Sequence, residues 1–222
     1  MRNPCIQLTG VLLAMLFGAT ALGQTSVDLE VLRARAEQGD AKAQLQLGDM
    51  HAKGTDVDRS ATMAEGWYLK AAEQGFARAQ ARLGALYEGM TFAGDADPVQ
   101  SGALAQKAAD WYLKAAEQND MFAQHSLGNM YLRGSGVALS SEEAVKWFLK
   151  SAEQGHTLAQ IDLAYAYKAG KGVTMDLAQA CYWMSRAFPL AKVRNESRDE
   201  LCGTLDAESL RDIQLRLDQA KP

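Results

Sequence analysis

The chain has 222 residues, of which 48% are hydrophobic and 23% are charged, and its formal net charge is -4. The hydrophobic fraction is too high for a disordered chain. Its 23 lysines and arginines are outnumbered by 27 aspartates and glutamates, so the composition lacks the basic character of a nucleic-acid-binding protein. The low proline content and the many alanines and glutamines argue against an all-β sandwich and predict helices.

The N-terminal segment has the composition of a secretory signal peptide. Arg2 is its only charged residue, residues 11–17 form an apolar core, and Ala21-Leu22-Gly23 offers small residues to a signal peptidase. The apolar stretch of about a dozen residues is too short for a bilayer, which takes roughly 20. We expect cleavage of residues 1–23 and a mature domain of residues 24–222 in the bacterial periplasm or outside the cell. A buried N-terminal helix is the alternative.

Export changes the interpretation of the cysteines. Cys5 would leave with the signal peptide, and Cys181 and Cys202 remain as an even pair in an oxidising compartment. A disulfide between them is the favoured interpretation, and two separate buried thiols are the alternative.

One pattern of residues recurs along the rest of the chain. The phrase Ala-Glu-Gln-Gly, with Asn in the last place of one copy, starts at Ala36, Ala72, Ala116 and Ala152. The same intervals, near 36 and 44 residues, separate Trp67, Trp111, Trp147 and Trp183. They also separate the Ala-Gln pairs that end at Gln44, Gln80, Gln124 and Gln160. A period of this size is typical of a solenoid of two-helix units.

Each unit divides into a helix A and a helix B. Residues 123–131 have the apolar spacing of a helix A, and the glycine-rich residues 134–136 end it. Ser140 and Glu143 then resemble a capping box at the start of helix B. A glycine inside helix A, such as Gly128, costs about 1 kcal/mol relative to alanine. We therefore expect it where helix B approaches closely, with the tryptophans of helix B between repeats.

The pattern AxAQxxLGxxYxxGxGV followed by AxxWYxKAAEQG resembles the Sel-one-like repeat (SLR) family, which is related to tetratricopeptide repeats. The resemblance implies an all-α, right-handed α-solenoid of stacked antiparallel helix pairs. Four repeats are expected at residues 41–74, 77–118, 121–154 and 157–188. Three residues depart from the pattern: His51 replaces a tyrosine, Met90 a loop glycine and Ala164 the helix A glycine.

Both ends of the array resemble caps. Residues 27–38 match helix B alone, and residues 191–220 form a divergent helix pair that would bring the two cysteines within reach. The second repeat contains an insertion within residues 91–106, which is either a tolerated loop extension or a partner-contacting loop.

Motifs of catalysis and metal binding are missing from the sequence. It has no nucleophile-elbow, Ser-x-x-Lys, phosphate-loop or zinc-helix motif. His51, His125 and His156 fall in different repeats without matched ligand spacing, and Glu142-Glu143 suits a helix start. We therefore expect no catalytic residues, no metal and no cofactor.

By resemblance to tetratricopeptide geometry, helix A lines a concave wall that binds partners. The wall positions lie six and three residues before the glycine position and one and four after it. They are Lys42, Leu45, Asp49 and Ala52; Arg78, Ala81, Ala85 and Glu88; Phe122, His125, Asn129 and Leu132; and Leu158, Ile161, Tyr165 and Lys168. Phe122, Leu158, Ile161 and Tyr165 are expected to form an exposed apolar anchor, unless the C-terminal cap buries them.

The leading functional hypothesis is an exported, non-enzymatic scaffold that binds a partner protein on this wall. Some small exported SLR proteins resemble immunity proteins that neutralise a toxin delivered between bacteria, for example by type VI secretion. A cell-wall-binding envelope adaptor is the alternative. A β-lactam-binding or β-lactam-hydrolysing enzyme is a third candidate, although such SLR proteins resemble arrays with a cysteine pair in every repeat.

Overall fold

The computed structural model describes residues 28–91, 97–188 and 196–220, and within these ranges the regular secondary structure is helical. The helices are α1 (28–37), α2 (Ala41–Lys53), α3 (Ala61–Glu73), α4 (Ala77–Thr91), α5 (Pro98–Glu117), α6 (Met121–Arg133), α7 (Ser141–Glu153), α8 (Thr157–Ala169), α9 (Leu177–Ala187), α10 (Glu196–Gly203) and α11 (Ala207–Gln219). The predicted all-α solenoid class is confirmed. The predicted signal peptide, residues 1–23, lies outside the described residues.

The helices form two compact units, Met1–Gln74 and Gly75–Pro222. In the first unit, α2 packs against α3, and a small core joins α1 to α2 through Leu32, Ala36 and Leu47. In the second unit, α4 packs on α5, α6 on α7 and α8 on α9, and contacts of α5 with α6 and of α7 with α8 stack these pairs. These pairs correspond to the predicted A and B helices.

Short polar side chains start most of these helices. Asp40 accepts hydrogen bonds from backbone N–H groups at the start of α2, and Asp120 does the same for α6. Ser60 and Ser140 accept one such hydrogen bond each at the start of α3 and α7. Such side-chain caps satisfy backbone donors that have no partner inside the helix. The Ser140 N–H donates to the carbonyl oxygen of Tyr131 at 3.0 Å, and the Glu143 carboxylate pairs with Lys146, so Ser140 caps α7 without the reciprocal bond of a full capping box.

The glycine inside each A helix lies against a ring of helix B. A Cβ on Gly128 would stand 2.6 Å from the Phe148 ring, and Gly84 faces Tyr112 in the same way. The close approach that the sequence predicted is therefore made by the residue after the tryptophan. Trp67, Trp111 and Trp147 are only half-buried, and the Lys150 ammonium lies 3.9 Å from the centre of the Trp147 ring, whereas Trp183 is buried.

The glycine of the A–B loop explains how neighbouring repeats approach. Gly136 has a φ of 69°, and a Cβ there would overlap the backbone of Ala105 in α5. The left-handed backbone and the missing side chain are both needed at this position, since other residues rarely adopt this φ. The loop can then lie directly on helix B of the preceding repeat.

The C-terminal helices close the second unit. Cys181 in α9 is bonded to Cys202 in α10, with 5.1 Å between their Cα atoms. Leu201 of α10 and Ile213 of α11 join the core around Trp183 and Met184. The predicted cap at residues 191–220 corresponds to α10 and α11, and its residues 191–195 lie outside the described residues.

Part of the insertion in the second repeat extends a helix. Helix α5 has 20 residues, whereas α3 and α7 have 13 each, and it begins with Pro98 after the capping residue Asp97. Proline suits this first position because its missing N–H would be unpaired there. Residues 92–96 of the insertion lie outside the described residues.

Candidate functional site

In the second unit, one side of helices α4, α6 and α8 carries most of the predicted wall residues. Positions i, i+3, i+4 and i+7 of a helix share one side. We call this surface the A-helix face. It consists of Arg78, Ala81, Arg82 and Ala85 on α4, Phe122, His125, Ser126 and Asn129 on α6, and Leu158, Ile161, Asp162 and Tyr165 on α8.

Three large apolar or aromatic side chains on this face are open to solvent. Phe122 is 57% exposed, Leu158 56% and Tyr165 49%. The alternative that the C-terminal helices cover them does not hold for these three residues. Ile161, the fourth predicted anchor, is half-buried and packs against the core of α7–α9. Exposed aromatic side chains of this size are favoured anchors in protein interfaces.

Between α4 and α6 the face forms a shallow cleft of about 210 Å³. Arg78, Ala81, Arg82 and Ala85 line it from α4, Tyr112 lines it from α5, and Asp120, Phe122 and Ser126 line it from α6 and the residue that caps it. Because the alanine side chains are small, they leave an open space, and the Phe122 ring forms one side of it. The cleft therefore combines guanidinium groups with an aromatic surface.

Between α6 and α8 the face is held together by polar and aromatic contacts. His125 Nε2 lies 2.8 Å from Asp162 Oδ2 and 3.2 Å from Asn129 Nδ2. The His156 ring stands edge-on to Phe122 at 5.1 Å between centroids and lies 4.7 Å from the His125 ring. Burial, and then the charge of His125, lower the pKa of His156. These contacts orient the α6 side chains relative to α8.

Two predicted wall residues, Glu88 and Lys168, already interact with other side chains of the protein. Glu88 accepts a hydrogen bond of 2.9 Å from the Tyr112 hydroxyl and forms an ion pair with Arg133 at 2.8 Å. Burial, and then the Glu88 charge, raise the pKa of Tyr112, so this phenol stays protonated and can donate. Lys168 lies 3.7 Å from Glu200. Glu88 is thus less available to a partner than its sequence position predicted.

The first unit contains the remaining predicted wall residues. Lys42 is exposed on α2, whereas Asp49 is half-buried and accepts a hydrogen bond of 2.7 Å from the Tyr68 hydroxyl. Asp49 therefore supports the packing of α2 on α3. His51 is buried, with its Nδ1 3.2 Å from the carbonyl oxygen of Asp58.

The structure adds residues to the face that the sequence analysis missed. Arg82, Ser126 and Asp162 stand two residues before the glycine position of their helices. Each follows the first wall residue of its helix by four, and this spacing could have identified them. His156 was missed because it precedes α8, where its Nδ1 accepts the N–H of Ala159 at 3.4 Å.

Metal sites and membrane-spanning helices are not found among the described residues. Within residues 28–91, 97–188 and 196–220, no three His, Cys, Asp or Glu side chains are placed to hold a metal ion. None of the helices in these ranges has the length and apolar character needed to cross a membrane.

Stacked helix pairs with a recurring Gly-to-ring contact define this protein as an α-solenoid repeat protein. It belongs to the Sel1 repeat family, which matches residues 41–76, 77–120, 122–156 and 157–188. Sel1 repeats mediate binding between proteins. The matched segments agree with the predicted repeats to within a few residues.

The chain is also similar to three individual proteins. Over 66 residues, 30% of this chain and 13% of the relative, it is 41% identical to the secretory immunoglobulin A-binding protein EsiB of Escherichia coli O6:H1, strain CFT073. Its fold is similar to that of c5321, a protective antigen present in uropathogenic E. coli strains, with a TM-score of 0.72 and 35% identity over 86% of this chain. A Sel1 repeat protein from Oxalobacter formigenes has a TM-score of 0.50 and 33% identity, over 60% of this chain and 94% of that one.

The chain spans only a part of the two E. coli proteins. The match covers 13% of EsiB and 40% of the c5321 chain. What those whole proteins bind therefore does not transfer directly to this chain.

Proposed function

We propose that this chain is an exported, non-enzymatic scaffold that binds a partner protein on the A-helix face. The observation that carries the proposal is the exposure of Phe122, Leu158 and Tyr165 on neighbouring A helices of a protein-binding repeat. Leaving such side chains in water costs free energy that burial in an interface would recover. The apolar N-terminal segment and the Cys181–Cys202 disulfide support export.

The particular partner that we favour is a bacterial toxin, which would make the chain an immunity protein. Secretory immunoglobulin A is a second candidate, because the name of the relative EsiB gives this ligand. A cell-wall polymer and a β-lactam are the remaining candidates from the sequence.

The test begins with the full chain expressed in a Gram-negative host and purified from the periplasm. Mass spectrometry should find an N-terminus at Gln24; retention of residues 1–23 in the purified protein would contradict export by cleavage. The purified protein is then immobilised and exposed separately to the products of adjacent genes, secretory immunoglobulin A and purified cell wall. A chromogenic β-lactam tests for hydrolysis.

The double variant Phe122→Ala/Tyr165→Asp tests the face, and Leu215→Ala is the matched control. Leu215 is 58% exposed on α11, close to the 57% of Phe122. We expect a stoichiometric protein partner that is lost in the double variant and kept in the control. Protection of cells from that partner would support the immunity role. A partner bound equally well by the double variant would contradict the A-helix face as the binding surface.

A further inference from the structure

The cleft between α4 and α6 points to the chemistry of the segment that binds there. We propose that this cleft takes an acidic segment of the partner protein, in which a carboxylate pairs with Arg78 and a neighbouring apolar side chain packs on Phe122. The inference rests on the proposed function, since it names the chemistry of the partner at the same face.

The charge of the cleft comes from its arginines. Arg78 is exposed, and among the described residues no carboxylate pairs with it. Arg82 adds a second guanidinium to the lining. A guanidinium offers a planar set of donors that matches the two oxygens of a carboxylate.

The acidic groups in and beside the cleft, Asp120 and Glu88, already have partners. Asp120 accepts the backbone N–H groups of Phe122 at 3.0 Å and Ala123 at 2.9 Å, so the start of α6 stabilises its charge. The Tyr112 hydroxyl is directed to Glu88, which also pairs with Arg133. The lining of the cleft has two guanidinium groups against one carboxylate, so its formal charge is positive, and an acidic segment complements it.

The position of Arg78 is not explained by the stability of its own helix. Arg78 is the second residue of α4, and a positive charge in the first turn opposes the helix dipole. The same position is occupied by Lys42 in α2, Phe122 in α6 and Leu158 in α8. The helix itself therefore gives no reason for a cation at this position, and a residue that breaks a local rule in this way is expected at a functional site.

The aromatic side of the cleft determines which residue of the partner segment is expected beside the carboxylate that pairs with Arg78. Phe122 is 57% exposed, and its ring is held from the other side by His156. A ring fixed on one side and open on the other is an anchor for an apolar side chain, with little loss of side-chain entropy on binding. The preferred segment thus has Asp or Glu next to Leu, Met or an aromatic residue.

The experiment selects a phage-displayed library of random peptides on the purified chain. The enriched peptide is synthesised with a fluorescent label, and its affinity is measured by anisotropy for the wild type, Arg78→Glu and Arg211→Glu. Arg78→Glu should fold, because an acidic residue in the first turn of α4 suits the helix dipole. Arg211 is an exposed arginine on α11, remote in sequence, whose side chain donates to its own helix at Ala207, so it is the matched control.

We expect the enriched peptides to carry Asp or Glu beside an apolar residue. Arg78→Glu should weaken their binding by about tenfold or more, and Arg211→Glu should leave it unchanged. A peptide with Lys in place of the acidic residue should bind Arg78→Glu better than it binds the wild type. Higher salt should weaken the wild-type complex, because it screens the exposed pair.

Three results would overturn the proposal: no enriched peptide, enriched peptides without acidic residues, or affinity that Arg78→Glu leaves unchanged. If binding then still depends on Phe122 and Tyr165, the A-helix face remains the binding surface and only the proposed pairing of Arg78 with an acidic residue is wrong. If neither Arg78→Glu nor Phe122→Ala/Tyr165→Asp affects binding, the proposed face fails as well. A dimer of this chain that Arg78→Glu dissociates would replace the partner by a second copy.

Discussion

The side-chain amide of Gln154 donates to the side-chain oxygen of Gln124 at 2.7 Å, and Gln124 in turn donates to the carbonyl oxygen of Ala116 at 3.1 Å. Gln124 belongs to the recurring Ala-Gln pair, while Ala116 and Gln154 belong to successive Ala-Glu-Gln phrases. One buried glutamine thus connects helix B of one repeat to both helices of the next. Equivalent hydrogen bonds, from a side-chain amide to a side-chain oxygen, join Gln74 to Gln44 and Gln118 to Gln80.

Replacing Gln124 by alanine should destabilise the protein by about 2 kcal/mol, because it removes two hydrogen bonds of a buried side chain, one to the Ala116 carbonyl and one from the Gln154 amide. Urea unfolding followed by circular dichroism measures the change. The control is Gln154→Ala: Gln154 is exposed, so water can replace its bonds and the loss should stay below about 1 kcal/mol. Equal losses in the two variants would contradict a structural role for the buried glutamine.

Gly128→Ala should destabilise the protein by about 1–3 kcal/mol, because the added Cβ would collide with the Phe148 ring. Gly102→Ala is the matched control in helix α5, where an added Cβ meets no atom within 4 Å. The control should gain up to about 1 kcal/mol from helix propensity. Thermal unfolding of both variants compares the two effects.

The fourth repeat suggests how the Gly128→Ala defect can be relieved. There, Ala164 takes the glycine position and Met184 takes the position of Phe148, and both are buried in one core. A flexible methionine can move away from a methyl group where a ring cannot. The double variant Gly128→Ala/Phe148→Met should therefore be more stable than the sum of its single changes. Simple additivity would argue against the ring as the cause.

Replacing both Cys181 and Cys202 by serine should lower the free energy of unfolding by about 3 kcal/mol, because their bond closes a loop in the unfolded chain. Denaturant unfolding of the variant and of the oxidised protein measures this difference. Alkylation followed by mass spectrometry checks the bond directly. Labelling of both cysteines without a reductant would show that the purified protein lacks it.

Acidification should destabilise the start of α8 through His156. Its Nδ1 accepts the Ala159 N–H, and a protonated ring nitrogen cannot accept. Burial and the neighbouring His125 lower the pKa of His156 below its ordinary 6.5, although Asp162 and Asp120 act in the opposite direction. The folded state therefore binds this proton less readily than the unfolded state. Stability should be complete above about pH 6.5 and decline as the pH falls through the lowered pKa.

The variant His156→Asp isolates this effect, because aspartate caps the equivalent helices at Asp40 and Asp120. Unfolding in urea at about pH 7.5 and about pH 5 compares the variant with the wild type. The wild type should lose more stability on acidification than the variant. The same loss in both proteins would show that His156 is not the group responsible.

Much of the candidate site could be predicted, because helical spacing defines which residues share a side. Arg78, Phe122 and Tyr165 were placed on helix A by counting from the glycine position, and all three are exposed. Counting could not show that Glu88 is bound by Tyr112 and Arg133, since these residues come from other helices. It also missed His156, whose place beside Phe122 and His125 depends on how the fourth repeat stacks on the third.

The sequence by itself determined the repeat, its period and the helix pairs, because short-range spacing and the small helix A glycine are local properties of the chain. The wall positions followed from the resemblance to tetratricopeptide repeats, and the sequence favoured a disulfide between Cys181 and Cys202 while leaving two separate thiols as the alternative. Only the tertiary structure decided which polar residues are free, because hydrogen bonds such as that between His125 and Asp162 join residues 37 apart in the chain. It likewise decided that in the first three repeats the ring after the tryptophan meets the glycine, since that contact depends on how two helices approach each other.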